Sequence, residues 1–390
     1  MKTLFWNCHG LGNRRTVRAL KELCKIQDPT CLFLMERKRK DHEMNRWQGL
    51  AGMTNIISVS CEGDGCRRAG GVAFLWKNDV NVSLLSHSLN HMDFIISLKD
   101  GSLSWRATGI YGYPEQNRKR LTWDLLRTLA GFHAQPAWMV FGDFNLTLSE
   151  AEKFGGAAPT LGLQEMFREV VQSCNLKDMG FEGHKYTWRN NQEGEDLIMA
   201  RLDRCFVTPT WADLFPQAKA LHLSFFASDH LPILIDTCPR RSIRGRGGRV
   251  LRFEECWLRD EECPTMLTEL WNRGATDPYD RVNSCLVGLK RWAKRRFGNV
   301  PMEIKDTKEK LQELQEHIHE DGVLANIKNL EDRLDDLLES SPMAVEEICD
   351  VVRNRVSEAM FGVLDGDYTQ KDVYEALNQM KPTAAPGPDG

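Results

Sequence analysis

Two polar residues follow a short apolar segment near the middle of the chain. Trp138–Phe141 predicts a buried strand, and Gly142 is expected to let the chain turn before Asp143 and Asn145. On an extended backbone, a spacing of two residues places both side chains on one side. A carboxylate can hold a proton or a metal ion, whereas an amide can donate to a phosphate oxygen. The alternative is an Asx-turn that only closes the strand.

The other apolar strands also end in polar residues. Asn7 ends the first of them, Glu36 ends the second, and Asp229 and His230 follow the last. Hard oxygen ligands such as Glu36 and Asp229 suit Mg²⁺, which takes few protein carboxylates and keeps several waters. A metal ion there would neutralise charge on a phosphodiester under attack. A histidine beside a carboxylate is fixed in its tautomer and can hold or move a proton.

Many short strands with few helices between them predict two β-sheets packed face to face and flanked by helices, an α/β architecture. Three helices are expected, at residues 17–26, 118–132 and 163–174. In the second of these we expect Leu121, Leu125, Leu126 and Leu129 to face the core. Strands are expected at residues 3–6, 31–35, 70–76, 80–85, 94–98, 103–111, 138–141, 186–188, 198–207, 221–226 and 231–235.

Composition limits the classes of protein to which the chain can belong. With 390 residues, 42% of them hydrophobic, we expect two or three folded units. The net charge of -4 does not by itself indicate a protein that binds nucleic acid. Local basic patches would have to bind such a partner. Twelve cysteines without a CxxC pair indicate reduced thiols in an intracellular protein. No apolar segment reaches the length that spans a membrane.

The composition changes after Cys238. Residues 239–252 contain six arginines among Pro and Gly breakers, which predicts a flexible basic linker after a first domain at 1–238. Residues 253–378 are charged and predicted to be helical. Within them, Ile304–Leu338 shows a/d steps that fit a helical hairpin or short coiled coil and leave self-association open. Residues 379–390 form a Pro/Gly tail.

Eight short motifs follow one another between Met1 and about Thr237. They are Trp6-Asn7-Cys8-His9-Gly10-Leu11-Gly12, Leu34-Met35-Glu36, Gly70-Gly71-Val72, Ile110-Tyr111-Gly112, Gly142-Asp143-Phe144-Asn145, Tyr186-Thr187-Trp188, Arg201-Leu202-Asp203-Arg204 and Ser228-Asp229-His230. Each is weak alone. The ordered set resembles the endonuclease/exonuclease/phosphatase superfamily, and most closely the endonuclease domains of plant non-LTR (LINE-type) retrotransposons. The resemblance implies a four-layer, DNase-I-like sandwich followed by a helical C-terminal arm.

The resemblance also implies a metal-dependent enzyme that hydrolyses phosphodiester bonds and nicks DNA. Glu36 would be the principal ligand of Mg²⁺, or alternatively Mn²⁺, with Asn7 beside it and Asp229 supporting the metal or His230. Arg37 departs from the family, which often has Thr or Ser after the metal-binding Glu. That substitution leaves the hydrogen bonding of this loop open.

Further roles follow from the same resemblance. Asp143 would orient or deprotonate the attacking water, and Asp203 would orient His230. Which group is the general base stays open. The residues expected to hold the scissile phosphate are Asn145, Tyr111, Thr187 and His230.

The resemblance continues beyond the first domain. Leu251–Leu258 looks like the segment that follows the nuclease in plant elements, and Pro386–Gly390 looks like the start of their reverse transcriptase, which implies a truncated copy. A polymerase needs an aromatic-x-Asp-Asp hairpin. Leu334-Asp335-Asp336 fits a helical pattern instead, so polymerase activity is not expected.

DNA is the expected partner, bound through its phosphate backbone, and the element's RNA is a second candidate. The expected compartment is the nucleus. Basic clusters at Arg14-Arg15, Arg67-Arg68 and Arg118-Lys119-Arg120 would bind phosphates without reading sequence. Two alternatives stay open. One is a phosphatase or phosphodiesterase acting on a small molecule or lipid, and the other is an inactive retroelement remnant. The basic linker and the polymerase-like terminus favour the nuclease.

Overall fold

The computed structural model of the chain describes residues 1–44, 49, 51–63, 68–132, 137–157, 161–192, 194–224, 227–238, 262–272, 284–289, 291–292, 295, 300–316 and 322–340. They belong to two units, one formed by Met1–Arg241 and Leu311–Glu331, the other by Ser242–Lys310 and Asp332–Gly390. The predicted linker and tail lie outside the described residues, and the predicted domain limits stay predictions.

The helices and strands have the following bounds. The strands are β1 (Lys2–Asn7), β2 (Cys31–Met35), β3 (Asn55–Val59), β4 (Val72–Trp76), β5 (Val80–His87), β6 (His91–Leu98), β7 (Ser104–Tyr111), β8 (Trp138–Asp143), β9 (Lys153–Phe154), β10 (Lys177–Asp178), β11 (Glu182–Gly183), β12 (Trp188–Arg189), β13 (Met199–Ala200), β14 (Asp203–Val207), β15 (Lys219–His222) and β16 (Ile233–Asp236). The helices are α1 (Arg14–Gln27), α2 (Lys119–Gly131), α3 (Leu161–Ser173), α4 (Pro209–Leu214), α5 (Glu262–Asn272), α6 (Val300–Glu316) and α7 (Val323–Ser340).

Two large sheets form the centre of the first unit. The first sheet has the strand order β11-β15-β16-β1-β2-β4-β3, and the second has the order β10-β14-β8-β7-β6-β5. Within them, β1 runs parallel to β2 and β7 runs parallel to β8. A smaller sheet contains β12, β13 and β9. The prediction of two sheets flanked by helices, followed by a helical C-terminal region, is confirmed.

The centre of strand β1, Leu4–Trp6, is continuously apolar because both of its faces are covered. Phe5 contacts Phe141 across the two sheets, with ring centroids 5.3 Å apart. Leu4 points the other way and packs in a cluster with Leu20 of α1. Strand β8 shows the same alternation, since its Val140 packs on the outer side with Phe167 of α3. Side chains that alternate along a strand therefore fill one core between the sheets and one under each helical layer.

Gly142 lies inside β8 rather than at a turn, so the predicted turn at this glycine is wrong. Its φ is 138°, and a Cβ added there would lie 1.9 Å from the carbonyl oxygen of Ile110 on the neighbouring parallel strand. Only glycine tolerates both conditions. The strand therefore continues to Asp143.

Two further sequence predictions need correction. Leu121 is 47% exposed, because the buried stripe of α2 follows the i, i+4, i+7 spacing of Thr122, Leu126 and Leu129. The strand predicted at 198–207 is two strands, β13 and β14, separated at Arg201 and Leu202. Strand β3 was not predicted, and all of its residues are only partly buried.

Part of the C-terminal helical region belongs to the first unit. Val323 and Ile327 of α7 pack in one cluster with Leu197 and Met199. The Leu334-Asp335-Asp336 segment lies within α7, as its helical spacing predicted. None of the described helices has the length and apolar surface needed to cross a lipid bilayer.

We expect Gly142→Ala to lower the free energy of unfolding by at least about 2 kcal/mol, since it combines an unfavourable φ with a backbone clash. Chemical denaturation monitored by tryptophan fluorescence measures this change. Gly131→Ala, at a site where an added Cβ meets no atom within 4 Å, is the matched control and should change stability little. Equal stability of the two variants would contradict this account of β8.

Candidate functional site

The strand pairing collects polar residues at one end of the two sheets. Asn7 ends β1 beside Met35 of the parallel strand β2. In the second sheet, Tyr111 ends β7 beside Asp143 of β8, and Asp203 begins β14 opposite Asp143. The carboxyl ends of parallel strands and the start of an antiparallel neighbour therefore meet at one edge.

Asp143, Asp203 and His230 form a buried group, called here the inner cluster. The His230 Nδ1 atom lies 2.8 Å from Asp203 Oδ2, and its Nε2 atom lies 3.8 Å from Asp143 Oδ2. Because an ionised carboxylate only accepts, Nδ1 is the donor to Asp203. Asn7 Nδ2 donates to Asp143 Oδ2 over 3.0 Å. The sequence-predicted residues Asn7, Asp143, Asp203 and His230 are thus in contact.

The charges in the inner cluster are strongly coupled. Burial raises the pKa of Asp143, and the negative charge of Asp203 raises it further. Burial alone would lower the pKa of His230, but the charges of Asp203 and Asp143 outweigh that effect and raise it. The two carboxylates therefore favour the protonated form of the imidazole, in which Nε2 can donate a proton.

Asn145 reaches the inner cluster through a left-handed backbone, with φ at 53°, so the extended backbone predicted after Asp143 is wrong. Its backbone N–H donates to Asp143 Oδ1 over 2.8 Å, which is the Asx-type contact considered as the alternative. Its side-chain Nδ2 also lies 3.2 Å from Asp143 Oδ2 and donates to the Gly112 carbonyl. The Asx-type turn and the side-chain contact with Asp143 therefore coexist, and a role for Asn145 in binding phosphate stays a prediction.

Tyr111 and Thr187 have different surroundings. Burial, followed by the negative charge of Glu36, raises the pKa of Tyr111, so its phenol stays protonated and can donate. Thr187 is fully buried, and its Oγ1 accepts the backbone N–H groups of Leu202 and Asp203 over 2.9 Å each. This contact fixes the start of β14. Direct phosphate binding by Thr187 stays a prediction.

Glu36 and Asp229, called here the outer carboxylates, are about one-fifth exposed. His9 Nδ1 lies between them, 3.8 Å from Glu36 Oε2 and 3.2 Å from Asp229 Oδ1. Lys38 Nζ lies 3.3 Å from the other Glu36 oxygen, and Trp188 Nε1 donates to Asp229 Oδ2. Burial would raise the pKa of Asp229, but the hydrogen bonds from His9 and Trp188 and the positive charges of His230 and His9 together outweigh it and lower the pKa well below its usual range.

Two groups of residues could hold a divalent cation. Distance favours the inner cluster, in which one ligand atom from each member lies within 4.8 Å of the others. Accessibility favours the outer carboxylates, since a hydrated Mg²⁺ keeps several waters and the inner cluster is buried. The Nδ1 atom of His230 is also already occupied by Asp203. The chemistry of the donors therefore fits a cation better at Glu36 and Asp229, and their role as metal ligands stays a prediction.

Asn7 lies between the two groups. Its amide oxygen accepts the backbone N–H of His9 over 3.3 Å, and its amide nitrogen faces Asp143. The ligand-type atom is thus on the side of the outer carboxylates.

Three side chains near the site were not among the predicted site residues. They are His9, Lys38 and Trp188, each of which contacts an outer carboxylate. His9 and Trp188 lie inside motifs that carried the resemblance, so the sequence could have indicated that they lie near the site. Lys38 belongs to a basic run, and such runs usually indicate a solvated surface.

Arg37 shows what the departure from the family pattern does. Its guanidinium is buried, and it donates to the carbonyl oxygens of Val72, Arg39 and Val59 and to the carboxylate of Asp41. It therefore connects the loop after Glu36 to β3 and β4. Its positive charge is paired with Asp41 of this chain.

A comparison with known protein families identifies the family of this chain. The model of the endonuclease/exonuclease/phosphatase family matches residues 4–230, more than half of the chain. The chain belongs to the endonuclease/exonuclease/phosphatase family. Its members hydrolyse phosphodiester and related phosphate bonds. No curated protein sequence matches the chain.

Solved structures with similar folds each cover 60% of this chain. The endonuclease domain of TRAS1, a telomere-specific non-LTR retrotransposon, is 13% identical, with 97% of that domain covered and a TM-score of 0.45. The 3′ phosphatase NExo from Neisseria, bound to a product DNA hairpin, is 16% identical, with 98% covered and a TM-score of 0.45. The AP endonuclease LMAP from Leishmania major is 18% identical, with 86% covered and a TM-score of 0.46. Sequence identities and TM-scores this low do not carry the substrates of these proteins over to this chain.

We expect Arg37→Met to lower the free energy of unfolding by about 3 kcal/mol, because it leaves buried carbonyl groups without their donor. Urea denaturation followed by circular dichroism measures the change. The control is Arg127→Met, which removes an arginine that is half exposed and forms only a surface ion pair. If the two variants lose the same small amount of stability, the buried arginine does not hold the loop after Glu36.

Proposed function

We propose that the first unit is a divalent-metal-dependent endonuclease that nicks DNA, and that it derives from a LINE-type retrotransposon of the plant group. The observation that carries this proposal is the direct connection of the inner cluster to the outer carboxylates. Asn7 contacts Asp143 and the loop of His9, and His230 follows Asp229 in the chain. The proposed proton donor and the proposed cation site would therefore adjoin each other, which suits phosphodiester hydrolysis.

In this proposal the inner cluster handles protons. His230, held by Asp203, donates from Nε2 to a phosphate oxygen. Asp143 accepts from Asn7 and Asn145 and orients or deprotonates the attacking water. Tyr111, kept protonated by its surroundings, donates to the phosphate, as does the amide of Asn145.

The cation would be held by Glu36, Asp229 and Asn7, and Mg²⁺ fits this set of oxygen donors, with Mn²⁺ as the alternative. When bound, it supplies positive charge that stabilises the phosphodiester under attack.

Two consecutive cationic residues, of which the second contacts Asn145, support a polyanionic substrate. The ammonium group of Lys119 donates a hydrogen bond to the Asn145 carbonyl oxygen. Arg118, one residue earlier, is exposed and lies 4.2 Å over the ring of Tyr113. Cations and an aromatic ring in the segment that contacts Asn145, whose amide is proposed to bind phosphate, favour nucleic acid over a small phosphate ester. DNA backbone is the proposed contact, the nucleus the proposed compartment, and RNA and helix-mediated self-association are secondary proposals.

The direct test is to incubate the purified chain with supercoiled plasmid and Mg²⁺, with and without chelator. A small phosphate monoester and a lipid phosphate serve as competing substrates. Chelator-sensitive conversion to open circles supports the nuclease. Turnover of the small ester alone would support a phosphatase, and no turnover of any substrate would support an inactive remnant.

We expect Glu36→Gln to slow plasmid nicking by about a thousandfold, which corresponds to several kcal/mol of lost metal stabilisation. Thermal unfolding should change little, since the two side chains have the same shape. The control Glu165→Gln, an exposed position of α3, should nick at the wild-type rate. Undiminished nicking by Glu36→Gln would refute the metal assignment.

A double-mutant cycle tests whether Asp203 and His230 act as one unit. We expect His230→Ala to reduce the nicking rate by about a thousandfold, a typical contribution of acid–base catalysis. Adding Asp203→Ala should then cost little more, because coupled residues are strongly non-additive. Losses that add fully in log rate would leave Asp203 as a structural residue only.

A further inference from the structure

One carboxylate of α7 contacts two arginines, called here the arginine pair. Glu331 Oε1 accepts a hydrogen bond from Arg189 Nη2 over 2.7 Å, and Glu331 Oε2 lies 3.6 Å from Arg15 Nη2. All three residues belong to the first unit. The side chain of Arg189 is 5% exposed and that of Glu331 is 13% exposed, so solvent screens their contact less than it screens a surface ion pair. Each oxygen of a single carboxylate therefore faces one guanidinium group.

Apolar packing holds this part of α7 in place. Ile327 and Val323 lie four and eight residues before Glu331, so the three side chains share one face of the helix. Ile327 and Val323 are buried in one cluster with Met199, and Met199 pairs with Arg189 across β12 and β13. The apolar contact therefore sets the position of Glu331 beside the arginine pair.

The arginine pair is connected to the segment that carries the last two proposed site residues. The backbone N–H of Arg189 donates to the carbonyl oxygen of Asp229 over 3.1 Å. Thr16, the residue after Arg15, donates its hydroxyl to the carbonyl oxygen of Ala227 over 3.2 Å. The two arginines therefore come from elements that hold this segment at both of its ends.

The chemistry of the arginine pair suits a phosphate group. A guanidinium binds a carboxylate and a phosphate through the same planar set of N–H donors. Arg15 also belongs to the Arg14-Arg15 cluster, whose predicted partner is the DNA backbone. We propose that Arg15 and Arg189 bind a phosphate of the DNA backbone, and that Glu331 of α7 competes with DNA for them. Glu331 then keeps the chain in a state of lower DNA affinity. This inference rests on the proposed DNA-nicking function.

Equilibrium binding of a fluorescent DNA duplex to the full chain tests this competition. Fluorescence anisotropy is measured at one fixed ionic strength, with chelator present so that the duplex stays intact. We expect Glu331→Gln to lower the dissociation constant about fivefold, because a neutral amide no longer competes with phosphate for the guanidinium groups. The matched control is Glu165→Gln, which removes the same charge from an exposed position of α3 and should bind DNA as the wild type does.

A double-mutant cycle shows whether the gain in affinity depends on the arginine pair. When Arg15→Gln is already present, adding Glu331→Gln should tighten DNA binding only about twofold, because one of the two guanidinium groups is absent. A gain that keeps its full size in the Arg15→Gln background would be a general effect of charge and would overturn the role of the pair.

Thermal unfolding of each variant separates stability from binding. If Glu331→Gln does not fold, Glu331→Asp takes its place. That variant keeps the charge but is one methylene shorter, so it cannot contact both arginines equally well and should also bind DNA more tightly.

The outcomes separate this inference from the proposed function. Unchanged or weaker DNA binding by the folded Glu331 variant overturns the competition, whereas chelator-sensitive plasmid nicking by the wild-type chain would still support the nuclease. A wild-type chain that neither binds the duplex nor nicks plasmid overturns the proposed function, and this inference with it.

Discussion

Two buried hydrogen bonds connect the sheets at the edge where the site lies. His230, next to β16 of the first sheet, donates to Asp203 of the second, and Asn7 of β1 donates to Asp143 of β8. Charged and polar groups buried without partners destabilise a fold by several kcal/mol, so these pairs specify the relative position of the two sheet edges. The remaining site residues depend on that position, because they come from the ends of neighbouring strands.

Close packing between the sheets reinforces this constraint. A Cβ added to Gly109 of β7 would lie 2.5 Å from the ring of Phe33, which itself packs edge-on against Phe141. The absence of a side chain at Gly109 lets the two sheets approach directly below the polar edge. Apolar packing sets the distance between the sheets, and the buried hydrogen bonds set their alignment. Together they bring two carboxylates of the second sheet, Asp143 and Asp203, within reach of the imidazole of His230 beside the first.

The sequence predicted the two-sheet fold and the residues at the strand ends because apolar runs and their terminal polar residues are local patterns. It did not predict the burial of Arg37, since a run of four basic residues looks like a solvated surface. The positive φ of Asn145 and the bridging position of His9 depend on long-range contacts, which local spacing does not encode. For the same reason the packing of Ile327 into the first unit was not foreseen.

The connection between the two sheets can be tested by nuclear magnetic resonance on ¹⁵N-histidine-labelled protein. The account predicts a His230 Nδ1 proton that lies far downfield and exchanges slowly with water, because it is buried and donates to Asp203. In Asp203→Asn this signal should move upfield or be lost, while the exposed ring of His42 is unaffected. A His230 ring whose protons exchange as fast as those of His42 in the wild-type protein would contradict the account.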